Sequence, residues 1–490
     1  MDLEIDGNYG LFINNEFIAG TNGEILEARN PATGELLATL TKADAHDVER
    51  AIDAARRAFP KWSKTPIEER SGMLNALANA LEADMARSAA IDTEEMGRRL
   101  FETNYDQIIA ISHYRYFAAA VMTHEGFGRR IPGGQFFAVR EPLGVCAQIV
   151  PWNVPAIMVA SKLAPALAAG NTVVLKPDEN ASISTLELCK KIAKIFPAGV
   201  VNVITGAGES TGAALINHPG VDKISFTGST EVGRLIGRVA ADALLPVTLE
   251  LGGKSPNIVF PDVTEVDALA DNIAFAAMYC NGQSCLAGTR LFLHEDIYGK
   301  VMDKLLERLS RAVVGPPTAE DTTISCLVSA KQGERVLDYI RIGREEGAKL
   351  VFGGSRREVQ GCEAGYFIEP TVFEADNGMR IAQEEIFGPV LSVMRWSDYE
   401  SMIEEANDSR YGLASGIYTN DLSLALTTAE RLQAGSVWIN QYFNLMNGTP
   451  FGGYKESGLG REFCHDTLNH YTQLKSITMV TGLPEPFYIK

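Results

Sequence analysis

LGVCAQIVPWNVPAIMVASKLAPALAAGNTVVLKP, residues 143–177, holds an apolar run, a helix-like segment and a second apolar run in succession. The same alternation continues to residue 250. It predicts strands at 143–150, 172–175, 200–204, 223–226 and 247–250, with helices at 156–169, 182–195, 209–217 and 231–242 between them. Strands that alternate with helices form a parallel sheet covered by helices. Such a sheet binds ligands in a crevice at the carboxyl ends of its strands.

A second alternation of strands and helices follows residue 253. It predicts strands near 257–260, 290–294, 390–395 and 436–439, and helices near 264–279, 296–311, 329–346 and 421–433. We expect a separate α/β domain here, because 490 residues are too many for one ordinary core. Elsewhere the sequence predicts amphipathic helices at 44–59, with Asp44 as N-cap, and at 67–85, and a hairpin over 129–141 around Pro132-Gly133-Gly134.

The charge and hydropathy of the chain exclude two classes of partner. Its net charge is −18, and an acidic surface repels nucleic acid and anionic membranes. The longest apolar tract, 154–169, is interrupted by Ser161, Lys162 and Pro165, so it predicts a buried core helix rather than a membrane span. We therefore expect a small-molecule ligand, with no nucleic acid and no membrane.

The cysteines and the N-terminus predict a cytoplasmic protein. Seven cysteines are an odd number scattered along the chain, which fits reduced thiols better than a disulfide framework. Asp2, Glu4 and Asp6 stand where a signal peptide would have basic residues before an apolar core. No Cys or His spacing is typical of a zinc site, so we expect no metal.

A thiol and a carboxylate are the first candidates for chemistry. Cys285 ends the polar, glycine-bearing stretch NGQSC at 281–285, and a loop thiol is a nucleophile once it becomes a thiolate. Glu250 ends a predicted strand beside Gly252 and Gly253, where a parallel sheet places its active site. Apolar neighbours would raise its pKa and suit it to general-base work. Taken alone, each residue would more often be a buried packing thiol or a surface carboxylate.

Asn153 is a candidate oxyanion donor. It lies between Pro151 and Pro155, just after the first strand of the sheet, and the two prolines restrict the backbone on both sides. An oxyanion site needs an amide that is aimed in advance. The alternative interpretation is an ordinary turn asparagine.

Two further segments are candidates for binding a nucleotide. Lys176 and Glu179 follow the second strand, where both can reach a ribose and the carboxylate would repel a 2′-phosphate. The stretch FTGSTEVG at 226–233 leads from a strand into a helix, whose N-terminus suits a pyrophosphate. Against this, the glycines at 206–212 do not match the dinucleotide fingerprint, and the charges could be a solvated cluster.

Together these motifs resemble those of the NAD(P)-dependent aldehyde dehydrogenase superfamily, of the hydrolytic, non-acylating kind. The resemblance covers essentially the whole chain. The matching segments are PWNVP at 151–155, KP at 176–177, FTGST at 226–230, LELGGK at 249–254, GQSC at 282–285, EEIFGP at 384–389 and PFGGYK at 450–455. Seven matches in family order outweigh the alternative interpretation of any single motif.

The resemblance implies a role for each matched residue. Cys285 would be the nucleophile, Glu250 the base that activates the deacylating water, and Asn153, with the backbone N–H of Cys285, the oxyanion site. The cofactor would be NAD, with NADP possible, contacted by Trp152, Lys176, Glu179, Gly228, Ser229, Thr230, Gly233, Glu385 and Phe387. Lys162 matches a lysine implicated in proton relay. Cys280 stands where many members carry asparagine, and we interpret it as a packing thiol that could compete with Cys285 in oxidation.

The same resemblance implies the fold and the assembly. We expect an α/β protein with a Rossmann-like dinucleotide-binding domain at 1–124 and 143–252 and an α/β catalytic domain at 253–456. A small β oligomerisation element would comprise 125–142 and 471–490. The family forms homodimers or homotetramers, and the sequence does not distinguish them.

The predicted reaction is oxidation of an aldehyde to a carboxylic acid through a thiohemiacetal and a thioester on Cys285. The residues implied to line the aldehyde tunnel are mostly apolar: Val154, Ile157, Met158, Ser161, Ser284, Leu286, Phe443, Leu445 and Phe451. They include no arginine or lysine to pair with a substrate carboxylate. A bulky apolar or aromatic aldehyde is therefore the predicted substrate.

Several alternatives stay open. A semialdehyde dehydrogenase would share the fold, and a CoA-acylating enzyme would share the cysteine, although Glu250 argues against the latter. A cofactor-independent cysteine hydrolase is disfavoured because none of the seven histidines lies in a recognisable motif. A non-catalytic structural relative would have no need of Cys285 and Glu250.

Overall fold

The structure is a computed structural model that describes residue 3, residues 5–482 and residue 488. The helices are α1 (Ala45–Trp62), α2 (Ile67–Glu82), α3 (Met85–Met96), α4 (Leu100–Ala120), α5 (Pro155–Ala169), α6 (Ile183–Ile195), α7 (Ala213–Ile216), α8 (Thr230–Asp242), α9 (Val266–Met278), α10 (Glu295–Ser310), α11 (Ala330–Glu345), α12 (Arg380–Gln383), α13 (Tyr399–Asn407) and α14 (Leu422–Arg431). The strands are β1 (Asn8–Tyr9), β2 (Leu11–Ile13), β3 (Glu16–Ile18), β4 (Ile25–Arg29), β5 (Leu36–Thr41), β6 (Phe127–Ile131), β7 (Gly134–Pro142), β8 (Val145–Ile149), β9 (Thr172–Lys176), β10 (Val201–Val203), β11 (Lys223–Thr227), β12 (Val247–Glu250), β13 (Pro256–Val259), β14 (Arg290–His294), β15 (Lys349–Phe352), β16 (Arg356–Arg357), β17 (Phe367–Ile368), β18 (Thr371–Glu374), β19 (Val390–Trp396), β20 (Tyr411–Gly412), β21 (Ala414–Tyr418), β22 (Ser436–Ile439), β23 (Tyr454–Lys455), β24 (Gly458–Leu459) and β25 (Thr472–Val480).

The first large sheet confirms the predicted α/β class. Its order is β24-β12-β11-β8-β9-β10-β2-β3, and the strands from β12 to β10 are parallel. Every strand predicted between 143 and 250 is present, with small differences at the ends. Strand order places β12, β11, β8 and β9 side by side, so the segments after these four strands emerge along one edge.

The helices of this sheet follow their local sequence signals. Pro155 occupies the first turn of α5, where its missing N–H costs nothing, and Gly170 ends the helix in a left-handed conformation at φ 93°. The segment predicted as one helix at 209–217 is instead a π-helical turn over 208–212 followed by the single turn of α7. Glycine at both ends of that turn weakens regular helix, and the Thr211 hydroxyl donates to the carbonyl oxygen of Ala43 at 2.6 Å.

The second large sheet has the order β15-β18-β19-β14-β13-β21-β22, parallel except for β15. The predicted strands near 257–260, 290–294, 390–395 and 436–439 correspond to β13, β14, β19 and β22, and the four helices predicted here correspond to α9, α10, α11 and α14. Strands β18 and β21, which lie inside this sheet, were not predicted. The division into domains at these boundaries stays a prediction.

A small antiparallel sheet contains the predicted hairpin. Strands β6 and β7 pair around a turn in which Gly133 has φ 73°, and β25 pairs with β7 along its whole length. Of the implied C-terminal element, residues 483–487, 489 and 490 lie outside the described residues. The sheet leaves several apolar side chains in solvent: Phe127, Leu474, Met479 and Val480.

Helices α2 and α4 pack against α5, whereas α1 packs on the first sheet. As predicted, Asp44 caps α1, accepting hydrogen bonds from the backbone N–H groups of His46 and Asp47. The predicted helix at 67–85 ends at Glu82, and α3 begins at Met85. Helix α4 was not predicted. Its buried face includes Glu102, Asp106 and Gln107, which interrupt the apolar periodicity that a sequence pattern requires.

None of the helices in the described part of the chain has the length and apolar character that a bilayer crossing requires.

Candidate active site

Several of the predicted site residues lie at the carboxyl edge of the first sheet. Trp152 and Asn153 follow β8, while Lys176 ends β9 and is aligned with Ile149. Glu250 ends β12, aligned with Thr227 at the end of β11. Parallel sheets place their ligand sites at this edge, so the register itself brings these side chains together.

The loop that carries Cys285 is held in an uncommon conformation. It begins with a 3₁₀ turn over Tyr279–Gly282, in which Cys280 and Asn281 have φ of 57° and 54°. The Asn281 amide anchors the turn by donating to the Ser325 hydroxyl and the Cys326 carbonyl, each at 3.0 Å. Left-handed residues of this kind persist only where neighbouring contacts hold them.

Close backbone packing brings this loop against Gly253, three residues after Glu250. A Cβ on Gly253 would lie 2.1 Å from the carbonyl oxygen of Cys285. No side chain fits at that position, so the glycine allows the loop to approach the end of β12.

The Asn153 side chain connects the end of β8 to the cysteine loop. Its amide nitrogen donates to the carbonyl oxygen of Gln283 at 3.0 Å, and the residue is buried. An amide nitrogen carries two hydrogens, so one stays available for a second acceptor. This geometry suits an aimed oxyanion donor.

Cys285 is partly exposed, whereas the other cysteines are buried. Burial of the sulfur raises the pKa of the Cys285 thiol, and the carboxylates of Glu385 and Glu250 raise it further. The resting thiol is therefore protonated at neutral pH. A positive charge or a base beside it would be needed to form the thiolate.

Glu250 is 3% exposed, and neither carboxyl oxygen has a hydrogen-bond partner among the described residues. Burial raises the pKa of this carboxyl well above its ordinary value, and the negative charge of Glu462 adds to the effect. Lys162 and Arg461 act in the opposite direction. A raised pKa is the property that suits a glutamate to general-base catalysis near neutral pH.

Lys162 and Glu462 form a buried ion pair next to this base. Their Nζ and Oε1 atoms are 2.6 Å apart, and both side chains are almost wholly buried. Ser161, expected in the tunnel, has its hydroxyl 3.4 Å from the other carboxyl oxygen of Glu462. Glu462 was not predicted as a site residue, because Gly460-Arg461-Glu462 has no local signal of function.

Lys176, the last residue of β9, lies close to Glu179 in the segment that follows. The Lys176 ammonium is buried, which lowers its pKa, and lies 3.7 Å from a carboxyl oxygen of Glu179. The Glu179 side chain is 43% exposed. An accessible carboxylate beside a buried ammonium fits the hydroxyl groups of a ribose.

The segment after β11 forms a helix N-terminus. Ser229 caps α8, its hydroxyl accepting from the N–H of Val232 at 3.3 Å, and the N–H of Gly228 donates to the carbonyl oxygen of Glu250 at 3.1 Å. Gly233 packs so closely that a Cβ there would lie 2.4 Å from the Leu251 side chain. The Thr230 hydroxyl faces the carbonyl oxygen of Glu456 at 3.4 Å. Helix N-termini carry backbone N–H groups without a partner inside the helix, and such a terminus suits a pyrophosphate.

Glu385 and Phe387 face the same region from the second sheet. The Glu385 carboxylate accepts from the N–H of Gly253 at 2.9 Å, and burial raises its pKa to about 6. Phe387 has φ 62° and meets the Trp152 ring edge-on, with centroids 5.2 Å apart. Both residues therefore lie across the crevice from the strand ends.

The apolar residues implied for the tunnel form one packed cluster. Ile157, Met158, Leu286, Phe443 and Phe451 belong to it, with Val154, Leu445 and Cys285 partly buried against it. Ser284 is partly exposed, and its hydroxyl accepts from the N–H of Leu286 at 3.3 Å. The thiol thus lies against an apolar surface. No group of three or more His, Cys, Asp or Glu side chains within the described residues could hold a metal ion.

Comparisons with known proteins show the family of this chain. A sequence profile of the aldehyde dehydrogenase family matches residues 17–477. The crystal structure of a putative aldehyde dehydrogenase from Burkholderia cenocepacia is 39% identical, with 98% of this chain and 99% of that chain covered and a TM-score of 0.96. The NAD+ complex of an aldehyde dehydrogenase from Bacillus cereus is 39% identical, covers 97% of each chain and has a TM-score of 0.94. An indole-3-acetaldehyde dehydrogenase from P. syringae, in complex with NAD+ and IAA, is 38% identical over 98% of each chain, with a TM-score of 0.95.

The matched profile spans most of the chain, the fold agrees with these structures over nearly their whole length, and the strand ends bring the motif residues together. The chain belongs to the aldehyde dehydrogenase family.

Proposed function

We propose that the protein oxidises an aldehyde to a carboxylic acid with NAD. The observation that carries the proposal is the pairing of two features at one sheet edge. The Asn153 amide is bonded to the loop of Cys285, and the Glu250 carboxyl is buried with no hydrogen-bond partner among the described residues. The first is suited to holding an oxyanion, and the second to activating water.

In the first half of the reaction, the Cys285 thiol releases its proton to solvent water, and its sulfur bonds to the aldehyde carbon as the π bond of the carbonyl group breaks. The carbonyl oxygen becomes an oxyanion that accepts hydrogen bonds from Asn153 and from the Cys285 backbone N–H. NAD, when bound, supplies the acceptor for the hydride of the aldehyde carbon. Loss of that hydride with its electron pair leaves a thioester on Cys285.

In the second half, Glu250 accepts a proton from water as the water oxygen bonds to the thioester carbon. The carbon–sulfur bond then breaks, and the acid leaves Cys285. In sum, aldehyde, NAD+ and water give the acid, NADH and one proton. The Lys162–Glu462 pair beside Glu250 offers the next buried position for the proton that Glu250 has taken.

The proposed cofactor site includes Trp152, Lys176, Glu179, Gly228, Ser229, Thr230, Gly233, Glu385 and Phe387. Two features of the proposed site suit NAD: the Lys176–Glu179 pair would bind the adenosine ribose, and the N-terminus of α8 would bind the pyrophosphate. The Glu179 carboxylate would repel the 2′-phosphate of NADP, so we propose a preference for NAD. The Bacillus cereus and P. syringae structures contain NAD+, which supports the same choice.

The proposed substrate is a bulky apolar or aromatic aldehyde. The cluster beside Cys285 is apolar, and Arg98, a cation near Asn153, is already paired with Asp106. A substrate carboxylate would have no free partner among the implied tunnel residues. The similarity to an indole-3-acetaldehyde dehydrogenase adds support.

An aldehyde panel assayed with NAD and with NADP tests the proposal through the absorbance of the reduced cofactor. We expect turnover of aromatic or long-chain aldehydes with NAD, and none in the Cys285→Ala variant. The Cys362→Ala variant, which removes a buried thiol elsewhere, serves as control and should keep wild-type turnover. Preference for succinate semialdehyde would refute the substrate assignment, and CoA-dependent product would favour an acylating enzyme. Hydrolysis of esters without any aldehyde oxidation would favour the cofactor-independent hydrolase. A protein that is inactive in every assay would favour a non-catalytic structural relative.

We also propose that the chain is a homodimer or homotetramer assembled through the sheet of β6, β7 and β25. Its exposed apolar side chains would be buried by a second copy. On this proposal residues 1–124 and 143–252 bind the cofactor, 253–456 carry Cys285, and 125–142 with 471–490 form the interface.

A further inference from the structure

A buried cluster of charged residues lies behind the oxyanion site, and the proposed mechanism does not use it. Arg98, Glu102 and Asp106 are each 1% exposed. Arg98 lies just before α4, and the two acids lie in its first two turns. Such burial is costly unless the charges are paired, so the contacts of each group show what the cluster does.

Arg98 holds the backbone of the residue that supplies the oxyanion amide. Its Nη1 atom donates to the Asn153 carbonyl oxygen at 3.1 Å and to a carboxyl oxygen of Asp106. The Tyr279 hydroxyl donates to the other oxygen of Asp106 at 3.1 Å. The guanidinium is therefore fixed by Asp106 on one side while it fixes Asn153 on the other.

Glu102 holds the loop that carries the nucleophile. Its Oε1 atom accepts from the backbone N–H of Cys280 at 3.1 Å and from Arg99 at 2.6 Å. Cys280 is the first left-handed residue of the 3₁₀ turn, at φ 57°. A hydrogen bond to a buried carboxylate is one of the contacts that can keep a residue in that strained conformation.

The contacts of Arg98 and Glu102 both bear on the position of Asn153 relative to the Cys285 loop. Asn153 is held at its carbonyl by Arg98 and at its side chain by Gln283, which lies two residues before Cys285. The turn that leads to Gln283 is held by Glu102. Arg98, just before α4, and Glu102, in its first turn, therefore bind the two segments that carry the oxyanion donor and the nucleophile.

We propose that Arg98 and Glu102 are positioning residues for the attack of Cys285 on the aldehyde, acting through Asn153 and Cys280. The inference rests on the proposed function and adds two residues to that same site. The planar guanidinium bonds Asp106 and Asn153 with fixed geometry, which the single ammonium of lysine cannot reproduce. A shift of about 1 Å in such a site costs about 100-fold in rate.

The test compares Arg98→Lys and Glu102→Gln with a matched control on α4. Arg115→Lys is that control, because Arg115 pairs with Glu82 at the surface, away from the site. The readout is kcat/KM for the aldehyde at saturating NAD, divided by the fraction of the protein that binds NAD in a titration of tryptophan fluorescence, because a misfolded fraction binds no NAD. That division separates a slow site from a misfolded fraction.

We expect Arg98→Lys and Glu102→Gln to lower kcat/KM per NAD-binding site by about 10- to 100-fold. The KM for NAD and the Arg115→Lys control should stay unchanged. A value per NAD-binding site equal to wild type, with only the number of NAD-binding sites reduced, would show a merely structural role and overturn the inference. If Glu102→Gln does not fold, Arg98→Lys, which keeps the charge, decides between the two roles. Wild-type protein that oxidises no aldehyde would overturn the proposed function instead.

Discussion

The Nζ atom of Lys162 lies 2.6 Å from a carboxyl oxygen of Glu462, and the two residues are 300 positions apart in the chain. Both are buried, and both charges act on the pKa of Glu250. The ion pair therefore helps to determine the pH range in which Glu250 can accept a proton.

Replacing Glu250 by glutamine should block the second half of the reaction more than the first. The amide has the same shape but cannot take a proton from water, so we expect a burst of reduced cofactor followed by steady turnover about 100- to 10,000-fold below wild type. Stopped-flow absorbance measures both phases. Glu295→Gln, at the exposed start of α10, is the control and should behave as wild type. Full steady turnover of Glu250→Gln would remove the residue from the mechanism.

Replacing Glu462 by glutamine should move the pH profile of turnover to lower pH. After burial, the charge of Glu462 is the largest cause that raises the pKa of Glu250, so its removal lowers that pKa. The base works only when deprotonated, so turnover rises with pH through this pKa and should rise earlier in the variant. The measurement is kcat against pH, limited by deacylation, with Glu295→Gln again as control. A shift toward higher pH would contradict the assigned coupling.

Replacing Glu179 by glutamine should relax the choice of cofactor. Loss of the carboxylate removes its repulsion of a 2′-phosphate, so kcat/KM with NADP should rise relative to NAD by about 10-fold or more, as expected for like charges in contact near a surface. Asp242→Asn, at the exposed far end of α8, removes an equal charge beside the same sheet and should leave the ratio unchanged. An unaltered ratio in Glu179→Gln would place the ribose elsewhere.

Enlarging Val154 to phenylalanine should narrow the proposed tunnel. Val154 packs partly buried against the cluster that Cys285 also contacts. We expect kcat/KM for an aromatic aldehyde to fall by about 10- to 200-fold, with a much smaller effect on acetaldehyde. Val313→Phe adds the same volume at an exposed position and serves as control. Equal losses for both aldehydes would indicate that Val154 does not line the path of the substrate.

Placing aspartate at Leu474 should weaken the proposed assembly. This side chain is 50% exposed in β25, and a charge would be buried unpaired if a second copy covers it. Light scattering after size exclusion should show a lower mass than wild type. Leu422→Asp, at an exposed apolar position on α14, should keep the wild-type mass. A monomeric wild type, or an unchanged assembly in Leu474→Asp, would contradict the interface.

The elements that the sequence predicted well are those with a repeated local pattern. Strands β8 and β9 are largely apolar runs next to helical segments, and a run of this kind is a signal on its own. Strand β21, ASGIY, begins with small residues, so it has no apolar run that differs from its surroundings. Helix α4 was not predicted because its buried face contains charged residues, which interrupt the apolar pattern. Their burial is explained only by ion-pair and hydrogen-bond partners from other segments of the chain.

The sequence alone was enough to predict the parallel sheet and the motif residues at its strand ends. These features depend on apolar and glycine residues that are close to one another in the chain. Contacts between distant segments had to come from the folded chain. The Asn153 amide meets Gln283 across 130 residues, Arg98 meets Asn153 across 55, and Lys162 meets Glu462 across 300. A buried charge is stable only beside its partner, and the identity of that partner depends on packing that no short pattern contains.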